Sequence, residues 1–180
     1  FKLLFIICGT LILIAFLLAT QLNYVKPDRE TYEDNTYHRF DVFEKTALPA
    51  SFLLMFVTFT FGGIASFLPA YTIELDFPSH SVQIYFVVYA LALLSTRFYA
   101  GQLFDRHGMA IVFIPGIMMI LTAMIMMFTM TAPKTLYIAA IFYGLGFGFV
   151  QPALQAMAVN RAAPNRRGMA NATFFSFFDL

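Results

Sequence analysis

Long apolar runs broken by short polar connections dominate this chain. Four stretches, about 3–20, 47–70, 82–102 and 111–131, hold enough apolar residues in succession to cross a bilayer. That crossing takes roughly 20 residues, each rising about 1.5 Å, against about 30 Å of hydrocarbon. A fifth stretch, about 136–159, qualifies once its glycines are admitted, because glycine is more frequent in membrane helices than in soluble ones. A sixth opens near Ala170 and runs to Leu180. The pattern predicts an all-α protein, a polytopic bundle of transmembrane helices.

Composition sharpens this and excludes alternatives. The chain is 60% hydrophobic and 12% charged, with a mean hydropathy of +0.75. Soluble domains carry about twice that share of charge, so a water-soluble globule is ruled out. A cleaved signal peptide over 1–20 fits poorly: the apolar core is too long, only Lys2 flanks it, and no small-residue cleavage pattern follows. The single Cys8 lies in the first stretch, which leaves no disulfide framework and no cysteine metal site. His38, His80 and His107 are far apart, and no zinc-protease, nucleophile-elbow or phosphate-loop motif occurs. No enzyme activity, cofactor, metal or nucleic-acid partner is expected. The chain starts without Met and stops within an apolar run, and so reads as an internal piece of a longer polypeptide.

Net charge is only +1, but the placement of the basic residues is informative. Lys26, Arg29, Arg39 and Lys45 follow the first stretch, Arg97 and Arg106 bracket the end of the third, and Arg161, Arg166 and Arg167 follow the fifth. The alternate connections, 71–81 and 132–135, hold only Lys134, with Glu74 and Asp76 on the first. Nine of the eleven basic residues thus fall on one side, which is read as cytoplasmic. The polar segment 21–46 is the one substantial linker, and it is too poor in apolar residues to form a domain.

The stretches differ in polar content. The first and fourth are nearly all apolar and suit a lipid-facing position. The second, third, fifth and sixth carry Ser, Thr, Tyr, Gln and Asn, and are expected to line a bundle interior or a wet cavity, since polar groups in hydrocarbon need partners. Ser51, Gly62, Gly63, Ser66 and Ser95 read more naturally as small residues that let helices pack closely. For Tyr89, Gln151 and Gln155 a cavity role and interhelical hydrogen bonding are both open. Gly144, Gly146, Gly148 and Pro152 form G-x-G-x-G-x-x-x-P, which is no dinucleotide loop. It predicts a close helix crossing on the Gly144/Gly148 face and a bend at Pro152.

Residues 97–108, Arg-Phe-Tyr-Ala-Gly-Gln-Leu-Phe-Asp-Arg-His-Gly, form a compact charged turn between apolar stretches. Their spacing, R-x-x-x-G-x-L-x-D-R-x-G, resembles the signature loop of the major facilitator superfamily of secondary transporters. Met109 and Ala110 stand where that loop usually has further basic residues, as in the weaker second-half copy. Phe43-Glu-Lys-Thr-Ala-Leu-Pro-Ala resembles the start of the family's seventh helix, and Pro164-Asn-Arg-Arg-Gly-Met-Ala-Asn-Ala-Thr its loop from tenth to eleventh.

The resemblance implies part of a twelve-helix fold: 1–20 the sixth helix, 21–46 the central cytoplasmic loop, and 47–180 helices seven to ten with the start of eleven. Bacterial drug and sugar efflux permeases are members of this kind. Such a protein moves a small solute by alternating access in the cell (plasma or inner) membrane, in concert with the N-terminal half of its own chain. Arg97, Gly101, Asp105, Arg106 and Gly108 would form the gating loop. Thr58, Tyr85, Tyr89, Tyr143 and Gln151 would line the solute cavity. Asp179, about nine residues or roughly 14 Å into the sixth stretch, is an intramembrane carboxylate and so a candidate for proton coupling. Proton-driven efflux of drug-like or amphiphilic compounds is the leading expectation, with sugar or metabolite uptake second. A non-transporting membrane scaffold is the rival from another class; a second copy of the signature loop about six spans upstream would count against it.

Overall fold

A computed structural model describes Ile6, Thr10, residues 12–14, Leu17, Thr20 and residues 43–179, with the backbone alone at 98, 100–102, 104–107, 109 and 110. The chain divides into two units, residues 1–39 and 40–180. In the first, every described position is helical and exposed. The segment 21–46, expected to be a cytoplasmic linker, falls outside the described residues except for 43–46.

The described elements of the second unit are all helical: α1 (Leu48–Glu74), α2 (Ser81–His107), α3 (Met109–Phe128), α4 (Pro133–Asn160), a 3-10 turn at Pro164–Arg166, and α5 (Arg167–Phe178), joined by short turns. Proline opens α1 at its first turn, α4 and the 3-10 turn, where a missing N–H costs nothing and the fixed φ suits the helix. α1, α4 and residues 111–128 of α3 are long and apolar enough to cross a membrane. Within α2 the described apolar stretch is Ser81–Arg97.

Two predicted boundaries are corrected. The signature segment is not a loop: α2 runs unbroken through it to His107, and Gly108 alone joins α2 to α3. Gly108 sits at φ 80°, ψ 173°, a region open essentially to glycine, so the reversal depends on that residue. The sixth stretch is helical from Arg167, three residues earlier than predicted, which puts Asp179 about 18 Å along it.

The core centres on α4, which buries one side against α2 and the other against α3. The odd-looking glycine spacing is the cause. A Cβ at Gly144 would lie 2.5 Å from the Tyr89 carbonyl oxygen, and one at Gly148 would collide with the Thr96 hydroxyl, both on α2. A Cβ at Gly146 would lie 2.6 Å from the Gly116 carbonyl oxygen on α3. Backbones therefore touch on both flanks of α4, where packing rather than a hydrophobic drive holds helices together in lipid. Gly62 and Gly63 on α1 behave differently: nothing lies within 4 Å of where their Cβ atoms would be. Among the described residues they make no close packing contact.

α3 turns Ile111, Ile114, Met118, Leu121 and Ile125 outward, an exposed apolar face. α1 exposes as much, with Phe59 at 80% and Phe67 at 73%, so it is not a wholly interior helix among the described residues. Gly144→Ala is expected to lower thermal stability by about 1–3 kcal/mol through overpacking, while Gly62→Ala leaves it within about 0.5 kcal/mol; a melting curve of the detergent-solubilised protein checks both.

Candidate solute cavity

Hydroxyl groups on these helices are mostly satisfied by their own backbone. Ser51 donates to the Ala47 carbonyl at 2.9 Å, Thr96 to Leu93 at 2.8 Å, Thr122 to Met118 at 2.8 Å and Ser176 to Ala172 at 2.9 Å. Such bonds back to the preceding turn let Ser and Thr sit in apolar surroundings without a partner helix. Polar residues that do more than this stand out, and they fall into four groups.

The first is a cavity of about 970 Å³ between the middle of α1 and the far end of α5. Its floor is the α1 face bearing Thr58, Gly62 and Ser66, one turn apart, and its α5 wall is Phe178 and Asp179. The bare glycines hollow this face. Thr58 Oγ1 lies 3.1 Å from the Leu54 carbonyl and 3.0 Å from that of Met55. Its one proton goes to that pair, so it faces the cavity as an acceptor. Asp179 closes α5, its N–H donating to the Phe175 carbonyl at 3.1 Å. Its side chain is exposed on the cavity wall.

The second group is aromatic. Tyr85 and Tyr143 are fully buried and Tyr89 partly so. Phe61, which also lines the cavity, stacks on Tyr89 at 5.4 Å and lies 6.4 Å from Tyr143; Phe147 completes the cluster. The Thr60 hydroxyl lies 2.7 Å from the Val57 carbonyl and shares a 2.8 Å hydrogen bond with the Tyr143 hydroxyl, which lies 3.4 Å from the same carbonyl. The Tyr85 hydroxyl is buried without a hydrogen-bond partner among the described residues. None of the three tyrosines lines the cavity itself; Tyr89 and Tyr143 back its wall through Phe61.

The third group ties helices together. Arg97 on α2 donates to Gln151 Oε1 on α4 at 3.1 Å, and Gln155 Nε2 on α4 donates to Asn171 Oδ1 on α5 at 3.0 Å. For both glutamines interhelical bonding is what the geometry supports. Gly101, Asp105 and Arg106 lie on the last turns of α2; their side-chain surroundings, and with them the gating contacts, lie outside the described residues.

The fourth group was missed in the sequence. Glu44, 6% exposed, forms an ion pair with Arg166 at 2.6 Å, accepts from the Thr46 hydroxyl at 2.9 Å, and donates its N–H to Thr173 Oγ1 at 2.9 Å. Phe177 packs edge-on against Phe52 at 4.9 Å and Phe43 at 6.1 Å. Together they fasten the start of α1 to α5 and so set Asp179 across the cavity from Thr58. The partners lie more than a hundred residues apart, and nothing in local spacing pairs them.

The sequence model of the Major Facilitator Superfamily matches residues 1–180, the whole of the chain. The chain belongs to the major facilitator superfamily. Comparison with curated proteins gives no match, and comparison with solved structures gives none either. As a superfamily member it is a membrane transporter of a small solute, and its apolar helices fit a place in the bilayer. Superfamily proteins carry solute rather than transform it, in keeping with walls made of rings, hydroxyls and one carboxylate.

The tyrosines allow a direct test of these contacts. Tyr143→Phe is expected to cost about 1 kcal/mol by losing its bond to Thr60. Tyr85→Phe removes an orphaned hydroxyl and is expected to be neutral or stabilising by up to about 1 kcal/mol. Thermal melts of the two variants side by side decide it.

Proposed function

We propose that this chain supplies one wall of the solute pathway in a secondary active transporter that exports amphiphilic, drug-like compounds by alternating access, driven by protons. The observation that carries this reading is the cavity between α1 and α5, with Asp179 as its single ionisable lining residue among the described residues. Its volume, about 970 Å³, suits a drug-sized molecule, and most of its lining is apolar. A sugar would meet few hydroxyl or amide partners there, so export of amphiphiles is favoured over sugar uptake.

In such a cycle Thr58 and the rings of α1 would hold the apolar body of the solute. Asp179 would exchange a proton between the two faces of the membrane as the halves rock around the site. Tyr89, Tyr143 and Phe61 would give that wall a firm backing. Gly108, through its backbone, would fix the reversal between α2 and α3 on which a gating segment at Arg97–Gly108 depends. The cell or inner membrane is the proposed location.

Asp179→Asn in the full-length protein is expected to abolish proton-driven transport while the protein still folds and reaches the membrane. Dye efflux from energised vesicles, with and without a proton gradient, measures this; unchanged transport would remove Asp179 from the mechanism.

A further inference from the structure

Away from the cavity, polar residues also meet where α2, α4 and α5 come together. Arg97 lies ten residues, about 15 Å, before the end of α2, and Gln151 nine residues, about 14 Å, before the end of α4. Gln155 follows Gln151 by one turn on the same face of α4 and reaches Asn171 on α5 at 3.0 Å. Three helices thus bring one guanidinium and three amides to a single junction.

The charge of Arg97 is not answered there. Its hydrogen-bond partner among the described residues is the neutral Gln151 Oε1, at 3.1 Å, and the residue is otherwise exposed. Glu44 is taken by Arg166, and Asp179 stands on the cavity wall between α1 and α5. A cation inside a membrane is costly unless an opposite charge or water meets it. Donors also outnumber acceptors at the junction. A guanidinium carries five N–H groups, of which one is bonded here. Gln151 Oε1 and Asn171 Oδ1 already accept, which leaves the Gln151 Nε2 and Asn171 Nδ2 groups without partners among the described residues. One turn before Gln151, Phe147 packs on Tyr89 of α2 at 6.4 Å and borders the junction with rings.

We propose that this junction binds a carboxylate-bearing organic anion, with Arg97 as its counter-ion and the Gln151 and Asn171 amides as further donors. The Phe147 and Tyr89 rings would seat an apolar tail. A planar carboxylate matches the fork of a guanidinium, which can donate two parallel N–H bonds to it. The site is separate from the cavity between α1 and α5 and does not depend on what that cavity carries.

The test uses phenylbutyrate, an anion at neutral pH, and phenylbutyramide, its neutral counterpart of similar shape. Their binding to the purified full-length protein is compared by equilibrium dialysis. The anion is expected to bind about tenfold tighter or better, the equivalent of about 1.4 kcal/mol. Arg97→Gln should erase that preference and leave binding of the amide unchanged. Gln151→Glu sets a carboxylate beside the guanidinium within the protein itself, so it should keep the helices joined and still erase the preference. A wild-type protein that binds the two probes equally, or binds neither, overturns the site. So does a Gln151→Glu or Arg97→Gln variant that still prefers the anion.

Discussion

Contact between backbones along α4 is the constraint on which the structure depends. In hydrocarbon an apolar side chain gains little by touching another, so helices must gain from close approach. Gly144 and Gly148 bring α4 onto α2, and Gly146 brings it onto α3, each so near that a single methyl would not fit. Gly116 answers Gly146 from the other side, its own Cβ position lying 2.7 Å from Val150 Cγ2. The three helices thus form a rigid slab. α1 and α5 stand against it, and the space between them is the cavity.

Glycine plays opposite parts on the two sides of that slab. On α4 it removes bulk so that main chains meet. On α1, Gly62 and Gly63 remove bulk where no described residue fills the gap, and the result is a hollow lined by phenylalanine. Both patterns look alike as small residues in an apolar run. What separates them is the surroundings: α4 has a neighbour on each flank, whereas among the described residues the α1 face has only Phe178 and Asp179 across from it. The Glu44–Arg166 pair with its Thr46 and Thr173 partners fixes where α5 stands relative to α1. A buried ion pair adds little net stability, but breaking it leaves a charge stranded, which suits a fixed reference point at the base of a moving helix.

Much of this was legible from the chain. Hydropathy located the helices of the second unit to within a few residues, because length and apolarity are set by the bilayer. The Gly144/Gly148 spacing pointed to the crossing with α2, and Gly108 to the tight reversal, since each is a local demand on the backbone. Tyr85, Tyr143 and Gln151 were expected on a cavity wall, yet they serve the core and the joints between helices. A large polar side chain in a span has the same sequence signature whether it meets water or another helix. The charged segment before Gly108 was expected as a loop, but nothing in it breaks a helix, and α2 continues through it. Glu44 drew notice only for its local sequence, because its partners Arg166 and Thr173 are brought to it by the fold.

The central claim is that the Thr58–Gly62–Ser66 face of α1 meets water inside the membrane while the outer face of α3 meets lipid. Single cysteines on a background lacking Cys8 test it most directly, by reaction with a small, water-soluble thiol reagent in intact cells. Cysteines at 58, 62 and 66 should react and be protected by a transported solute, and those at 114, 118, 121 and 125 should stay silent. Reaction along α3 with silence at 58, 62 and 66 would contradict the account.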